Sequence, residues 1–245
     1  MRESDYRETD REGHQTLDVI GRAGNFNRWM FSSIMPFCNG EVFEVGCGIG
    51  NMSVFFLNGG CSLSTCDIRQ KYCEIVREKY AGNNNLRGVS CMDIADPAYM
   101  EKYPELHGSY DTVFALNVLE HIKDDRKAIE NCRYLLKNNG ILIVLVPAGK
   151  WLYNTLDREL FHYRRYNRKE LSTLLSDLQF DIVKTFSFNA AGIPGWWFSG
   201  KVQRNKIIPL KQMSLYNRLV PLFRLIDRLL FRSVGLSVVI VGRKE

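Results

Sequence analysis

The segment Glu41-Val-Phe-Glu-Val-Gly-Cys-Gly-Ile-Gly50 decides the fold of this chain. It begins as a short apolar strand, carries an acid at Glu44, and then places glycines at 46, 48 and 50 in front of a helix. Glycines at such a turn let backbone N–H groups approach a ligand closely, and the helix N-terminus adds a partial positive charge. The segment therefore predicts a negative or polar ligand group at a strand-to-helix turn.

The same segment departs from a dinucleotide fingerprint, which has the spacing G-x-G-x-x-G. Asn51 stands where the third glycine would be, and Glu44 precedes the turn where a pyrophosphate would be repelled. These departures disfavour an NAD-dependent oxidoreductase, which we keep as an alternative. The ligand is expected to carry a cation together with polar groups.

Short apolar runs alternate with helical patterns along the middle of the chain. Strands are predicted at 42–45, 63–66, 87–92, 111–116 and 141–146, and helices from Met52, over 70–80 and after Asp124. Alternating strands and helices imply parallel pairing through right-handed crossovers. The sequence therefore predicts a doubly wound α/β sheet with a core over roughly residues 40 to 150.

The helix after Asp124 has the clearest pattern. Asn139-Gly140 supplies its expected left-handed stop. Its apolar face consists of Ala128, Ile129, Cys132, Leu135 and Leu136. Further along, Asn167 followed by Glu170 resembles a capping box at the start of another helix.

The flanking regions are predicted to complete one domain over 1–245. Residues 1–38 are expected to form a charged leader followed by one or two lid helices, 40–150 the cofactor-binding core, and 151–245 the acceptor side. Strand signals occur at 180–188 and at 236–241. A helical insertion lies before that last strand, with Arg224, Arg228 and Arg232 in helical register.

Two acids follow the predicted strands at positions typical of nucleoside binding. Asp67 lies 21 residues after Gly46, the spacing at which a carboxylate reaches the hydroxyls of a ribose. Asp93 is placed to accept from an exocyclic amine while Ile94 packs on a base. Taken singly, Asp67 is also explained as a surface acid or helix cap, and Asp93 as a cap for the turn at Asp96-Pro97.

Four motifs together resemble the ordered motifs of class I S-adenosylmethionine-dependent methyltransferases: E-V-G-C-G-I-G at 44–50, Asp67, C-M-D-I at 91–94, and L-N-V-L-E-H-I at 116–122. The resemblance implies a Rossmann-like, mostly parallel seven-stranded sheet whose last strand is antiparallel. It also implies S-adenosyl-L-methionine as cofactor and S-adenosyl-L-homocysteine as product.

The resemblance places the methionine part of the cofactor against the glycines, its ammonium near Glu44, the ribose at Asp67 and the adenine at Asp93. A covering segment at 25–31 is expected to close over the cofactor. The predicted cofactor-binding residues are Glu44, Gly46, Cys47, Gly48, Gly50, Asp67, Ile68, Asp93, Ile94, Asn117, Val118 and, as an apolar lid, Trp29.

A narrower resemblance concerns the second half, in Leu156-Asp-Arg-Glu-Leu-Phe-His-Tyr-Arg-Arg-Tyr166 and Gly195-Trp-Trp197. These segments are similar to a bacterial group of methyltransferases linked with glycosyltransferases and with surface-polysaccharide or lipid-linked glycan pathways. The resemblance implies methylation, preferably on oxygen, of a small-molecule, saccharide or lipid-linked acceptor.

Candidate catalytic and acceptor residues lie on both sides of this region. His121 and His162 are candidate general bases, because a neutral imidazole near pH 7 is suited to take a hydroxyl proton. A structural role for each histidine stays open. Candidate acceptor-binding residues are Tyr163, Arg164, Arg165 and Trp197, with a structural ion-pair network and a satellite apolar core as the alternatives.

Composition narrows the class of partner. The 33 Lys and Arg against 27 Asp and Glu give a net charge of +6 without dense basic runs, so nucleic acid is not the expected partner. Seven cysteines without a C-x-x-C pair encode no zinc knuckle, and no metal is predicted.

A cytoplasmic protein is expected, with peripheral membrane contact through the arginine-bearing helix as an option. A second hypothesis keeps cofactor binding without catalysis, in a peripheral component of a glycan pathway.

Overall fold

The computed structural model describes residues 11–245, so residues 1–10 of the predicted leader lie outside the described residues. Of the one or two helices predicted within residues 1–38, the structure shows two. The α-helices of the described residues are α1 (Arg11–Gly21), α2 (Gly24–Ile34), α3 (Ser53–Asn58), α4 (Gln70–Lys79), α5 (Tyr99–Lys102), α6 (Asp125–Leu135), α7 (Thr155–Glu159), α8 (Arg168–Asp177), α9 (Gly192–Trp197) and α10 (Leu210–Leu229).

Seven strands form one sheet in the order β3-β2-β1-β4-β5-β7-β6. They are β1 (Val42–Val45), β2 (Leu63–Asp67), β3 (Leu86–Cys91), β4 (Tyr110–Leu116), β5 (Leu136–Pro147), β6 (Phe180–Phe188) and β7 (Ser237–Lys244). Strands β1 to β5 pair in parallel, whereas β7 is antiparallel to both of its neighbours. The predicted Rossmann-like sheet with an antiparallel last strand is confirmed.

Apolar side chains cover both faces of the sheet. Strand β1 shows why, because Val42 packs into one apolar cluster while Phe43 and Val45 pack into the other. Helices α2 and α10 contribute Ile34 and Val220 to the cluster that contains Val42. A strand buried on both faces reads as a continuous apolar run, which is the pattern of a doubly wound sheet.

Helix α6 ends earlier than its sequence pattern predicts. The helix stops at Leu135, and Leu136 instead enters β5 and pairs with Tyr110 of β4. Asn139 does adopt the expected left-handed backbone, with φ of 63°, but it lies within β5. Leu136 is completely buried in the sheet, so tertiary packing outweighs its helical spacing.

Two further predictions are corrected in the second half. Arg232 lies beyond the end of α10, where its guanidinium sits 4.9 Å from the Phe186 ring centroid, so the predicted arginine register breaks there. Asn167 does cap α8 by accepting from the backbone N–H of Glu170. The complete reciprocal capping box instead opens α7, between Asn154 and Asp157.

Helix α10 exposes much of its apolar surface. Leu215, Leu222, Leu225 and Leu229 each have more than half of their surface exposed among the described residues. Within residues 11–245, no helix has both the length and the apolar character needed to cross a membrane. Contact of this face with a membrane surface stays a prediction.

Candidate active site

A large cavity opens at the carboxyl ends of β1, β2 and β4. This is the edge at which open α/β sheets bind ligands. Its volume of about 1390 Å³ exceeds the ~300–1,000 Å³ typical of a pocket for one small ligand. One end is lined by the loop after β1, and the other by Glu120, His121 and His162. The cavity therefore has room for two small molecules side by side.

The loop after β1 needs its glycines. Gly46, Gly48 and Gly50 have φ of 74°, 51° and 77°, a region that other L-residues rarely adopt. A Cβ on Gly46 would also lie 2.5 Å from a methyl of Val118. The loop therefore needs glycine at all three positions for its left-handed backbone, and at Gly46 also for the close approach to Val118.

Glu44 is a buried acid beneath this loop. Its side chain is 3% exposed, and its carboxylate accepts hydrogen bonds from Ser53 at 2.5 Å and Thr65 at 3.4 Å. It forms no ion pair with any described basic side chain. Burial raises the pKa of Glu44 to about 8, despite the two hydrogen bonds that act to lower it. This end of the cavity thus offers an acid that lacks a cation.

Asp67 connects the end of β2 to the glycine loop. Its two carboxylate oxygens accept from the backbone N–H groups of Gly48 and Arg69, each at 2.9 Å. Burial raises the pKa of Asp67, although these backbone hydrogen bonds act to lower it. Asp67, which is predicted to bind the ribose, therefore also holds the glycine loop against the end of β2.

Most of the other predicted cofactor residues lie along the same wall. Cys47, Ile68, Asp93, Ile94, Asn117 and Val118 all line the cavity. Asp93 also accepts from the backbone N–H of Ala95 at 2.8 Å, which is the turn-capping role considered from sequence. Burial raises the pKa of the Cys47 thiol, which keeps it protonated.

Four predicted residues lie away from the cavity wall. Trp29 is 2% exposed in the apolar core, where its ring centroid is 4.4 Å from that of Phe188. On the same helix, Phe26, Asn27 and Met30 line the cavity instead. Trp29 is thus corrected from lid to core residue. Gly50 does not line the cavity, and Tyr80 donates to its carbonyl oxygen at 2.8 Å.

The other two corrections concern the acceptor side. Arg164 pairs with Asp125 at 2.9 Å and lines a separate small cavity. Trp197 is 43% exposed outside the main cavity, whereas its neighbour Trp196 lines it. Arg165 stacks on Trp196 at 4.8 Å, so both predicted alternatives, an ion-pair network and an apolar contact, occur here together.

Asp157 organises the acceptor end. Its Oδ1 lies 2.8 Å from Nδ1 of His162 and also accepts from Nε of Arg165 at 2.8 Å. Burial acts to raise the pKa of Asp157, but His162 and Arg165 outweigh it and lower that pKa. The ionised carboxylate therefore fixes the Nδ1–H tautomer of His162, and its Nε2 keeps a free lone pair.

His121 and Glu120 complete this end. The His121 side chain is exposed to the cavity, and its ring centroid lies 4.7 Å from that of His162. The surrounding protein and His162 lower the pKa of His121, so it is neutral near pH 7. Glu120 is fully buried, and burial raises its pKa to about 8. Both predicted histidines therefore meet beside a carboxyl group.

The sequence analysis missed Glu120 and Asp157. Glu120 stands directly before His121 in L-E-H, and Asp157 stands five residues before His162. An acid beside a candidate histidine was the available signal in each case. Glu120, His121 and His162 also form a set of potential metal ligands.

Comparisons with known proteins agree with this geometry. The family described as a methyltransferase domain matches residues 43–142, which hold the glycine loop, Asp67, Asp93 and His121. This chain is an S-adenosylmethionine-dependent methyltransferase. A ubiquinone biosynthesis O-methyltransferase from Actinobacillus pleuropneumoniae is 22% identical to this chain. The alignment covers 70% of this chain and 79% of that protein.

Two other similar proteins extend the comparison. A probable S-adenosylmethionine-dependent methyltransferase from Mycobacterium tuberculosis is 28% identical over 67% of this chain, which spans only 57% of that protein. The solved structure of phosphoethanolamine N-methyltransferase 2 from Haemonchus contortus, in complex with S-adenosyl-L-methionine, has a TM-score of 0.64. It is 16% identical, and the alignment covers 96% of this methyltransferase and 57% of that chain, which supports the shared fold.

Proposed function

We propose that this methyltransferase transfers the sulfonium methyl group to a hydroxyl oxygen of a small acceptor held beside His121 and His162. The observation that carries the proposal is the single cavity that joins the glycine loop to these two histidines. Its size suits a cofactor and an acceptor bound together. In-line transfer needs both molecules held in one water-poor site, with the nucleophile and the leaving sulfur aligned.

The cofactor end of the cavity fits S-adenosylmethionine. When bound, this cofactor supplies a methyl group already activated by a positive sulfur, and it carries an ammonium but no phosphate. The buried Glu44 carboxyl would meet that ammonium, which favours its ionised form, whereas that ionised form would repel a phosphate. We assign the ribose hydroxyls to Asp67 and the adenine to Asp93 and Ile94, while the backbone around Gly46 borders the methionine part.

The acceptor end supplies a base and a shaped wall. His121 faces the cavity, where its imidazole is placed to take the proton of a bound hydroxyl. The lowered pKa keeps this imidazole neutral before the acceptor binds, and it also makes His121 a weak base. His162 is buried and held by Asp157, so we assign it a positioning role beside His121. Tyr163, Arg165 and Trp196 line the same end and would border the acceptor.

Oxygen is the preferred methylated atom for two reasons. A neutral histidine base suits a hydroxyl, which has to lose a proton as its oxygen is methylated. The relative from Actinobacillus is named an O-methyltransferase, in agreement with this choice. A saccharide or lipid-linked acceptor stays a prediction from the sequence resemblance.

Labelled-methyl transfer tests the proposal. The full chain is incubated with methyl-labelled S-adenosylmethionine and a panel of small hydroxylated compounds and extract fractions, and labelled products are identified by mass spectrometry. We expect methyl ethers, with His121→Ala slowing turnover while its affinity for S-adenosylhomocysteine is unchanged. Exclusive labelling of nitrogen or carbon would contradict the choice of oxygen, and a wild-type rate in His121→Ala would remove His121 as the base.

A further inference from the structure

Three side chains with metal-ligating atoms converge at the acceptor end of the cavity. One ligand atom from each of Glu120, His121 and His162 lies within 4.8 Å of the other two. Glu120 and His121 belong to the turn after β4, and His162 follows α7. The three residues come from two distant segments that the fold brings together on one cavity wall.

The Glu120 carboxyl is the unexplained member of this set. Its side chain is completely buried, and neither oxygen has a hydrogen-bond partner from another described residue. Arg165 is the cation that acts on it, but the Arg165 guanidinium is already bonded to Asp157 and to the Ala148 carbonyl oxygen. A buried carboxyl group with no partner is costly, so a structure that keeps one points to a missing cationic or hydrogen-bonding ligand.

The two histidines are held as metal ligands usually are. Ligating histidines donate their second ring N–H to a carboxylate or a backbone carbonyl group, which fixes the ring and its tautomer. His162 has Asp157 at 2.8 Å from Nδ1, and His121 has a hydrogen bond to the backbone of Leu160. Each ring therefore keeps one nitrogen for another partner.

We propose that Glu120, His121 and His162 bind one divalent transition-metal ion of the zinc, cobalt or manganese class. Two imidazoles and one carboxylate are the ligand set of sites that keep a coordination position open for substrate. An ion that prefers oxygen ligands, such as Mg²⁺, is a poorer match, because two of the three ligand atoms are nitrogens. This proposal rests on the proposed function and makes it more specific. The acceptor hydroxyl would occupy the coordination position of the metal ion that the three residues leave open.

The site would change how the hydroxyl proton is lost. With its free nitrogen bound to the metal ion, His121 would no longer be the base assigned to it above. A metal ion lowers the pKa of a coordinated hydroxyl, so the proton would leave to solvent instead. The acceptor oxygen then forms the bond to the methyl carbon, and the electron pair of the broken S–CH₃ bond stays on sulfur. The products are the methyl ether, S-adenosylhomocysteine and one proton.

Metal binding would draw the three groups together. Ligand atoms around a tetrahedral zinc lie about 3.4 Å apart, given bonds of ~2.1 Å. Separations of up to 4.8 Å here therefore have to shorten. Of the three side chains, only that of His121 is exposed to the cavity, so it has the most room to shift toward the other two when the ion binds.

Cobalt(II) absorption spectroscopy on the chelator-stripped full chain tests the site. We expect stoichiometric binding of one Co²⁺, with visible d–d bands but no thiolate charge-transfer band that would indicate a cysteine ligand. His121→Ala and Glu120→Gln should each weaken the affinity at least about 10-fold, the lower bound even for residues that only support ligands. His107→Ala is the matched control, because His107 is an exposed histidine outside this cavity, and it should bind like the wild type.

The outcomes separate the metal site from the proposed function. No Co²⁺ binding, a thiolate band, or unchanged affinity in both folded variants would overturn the metal site. If Glu120→Gln does not fold, His121→Ala still tests the site, because removing an exposed side chain has little effect on folding. S-adenosylhomocysteine affinity is measured in parallel by calorimetry, and its absence in the wild type would overturn the proposed function instead.

Discussion

Oδ1 of Asp157 lies 2.8 Å from Nδ1 of His162, and both side chains are almost completely buried. The same oxygen accepts from Arg165, whose side chain is 1% exposed, so one carboxylate balances a buried guanidinium and orients an imidazole. We expect Asp157→Asn to lower the free energy of unfolding by about 3–5 kcal/mol, because it leaves Arg165 charged and unpaired in the interior. Urea unfolding followed by circular dichroism measures this loss.

An exposed ion pair of the same chemistry is the control for that prediction. Asp177 pairs with Arg126 at 3.1 Å, with about half of each side chain exposed. Asp177→Asn should cost less than about 1 kcal/mol, since water screens the pair. If Asp157→Asn costs no more than Asp177→Asn, the buried network contributes nothing to stability.

Gly46→Ala should destabilise the glycine loop in two separable ways. The left-handed backbone costs an alanine about 1–2 kcal/mol, and the new Cβ would lie 2.5 Å from Val118. Gly60 has a similar φ of 76° but open space around it, so Gly60→Ala reports the backbone cost alone. The difference between the two in urea unfolding measures the clash.

A double variant checks the assignment of that clash. Val118→Ala removes the methyl that the Gly46 Cβ would meet. We therefore expect the loss from Gly46→Ala to be smaller in a Val118→Ala background than in the wild type. Equal losses in both backgrounds would show that Val118 does not limit position 46.

Asp67→Ala should weaken binding of S-adenosylhomocysteine by about 1–3 kcal/mol, the range for removing a partner of buried polar groups. The variant loses the proposed ribose acceptor and also frees the Gly48 N–H that Asp67 holds at 2.9 Å. Asp67→Asn keeps one acceptor oxygen, so it should fall between alanine and the wild type. Calorimetry on folded protein measures all three, and equal affinities would exclude Asp67 from the cofactor site.

The sheet and the cofactor end follow from local sequence. The glycine spacing, Glu44 and Asp67 belong to short motifs at strand ends, and parallel strands bring their carboxyl ends to one edge whatever the details of packing. Residue type singles out His121 and His162 as candidates within the segments that carry the two resemblances. The structural position of these residues therefore needs little more than the order of the elements.

Local sequence does not show which side of a helix faces the cavity or which residues of an apolar run enter the sheet. Trp29 and Met30 are neighbours on α2, where successive side chains differ by about 100°, and only the docked helix shows that Met30 faces the cavity. Leu136 satisfies the helical spacing but pairs with Tyr110 in the sheet. The burial of Glu120 likewise depends on the distant segment around His162, to which no short motif points.

The last prediction concerns the proton on Glu44. Its pKa of about 8 in the folded protein, against 4.5 as its ordinary value, means that Glu44 is mostly protonated at pH 7. The native state then binds more protons than the unfolded state between these two values, so this residue's effect makes stability fall as the pH rises from about 4.5 to 8. Pairing Glu44 with the methionine ammonium would favour its ionised form. We therefore expect binding of S-adenosylhomocysteine at pH 7 to release about one proton from Glu44.

Calorimetry in buffers of different ionisation enthalpy counts these protons. Glu44→Gln keeps the shape of the side chain but has no proton to lose, so it subtracts the protonation of the ligand's own amino group. The wild type should release more protons than this variant at pH 7, and the difference should shrink above pH 8 as free Glu44 ionises. An equal proton count in the two proteins at pH 7 would show that the ammonium does not meet Glu44, and the orientation proposed for the cofactor would have to be reversed or abandoned.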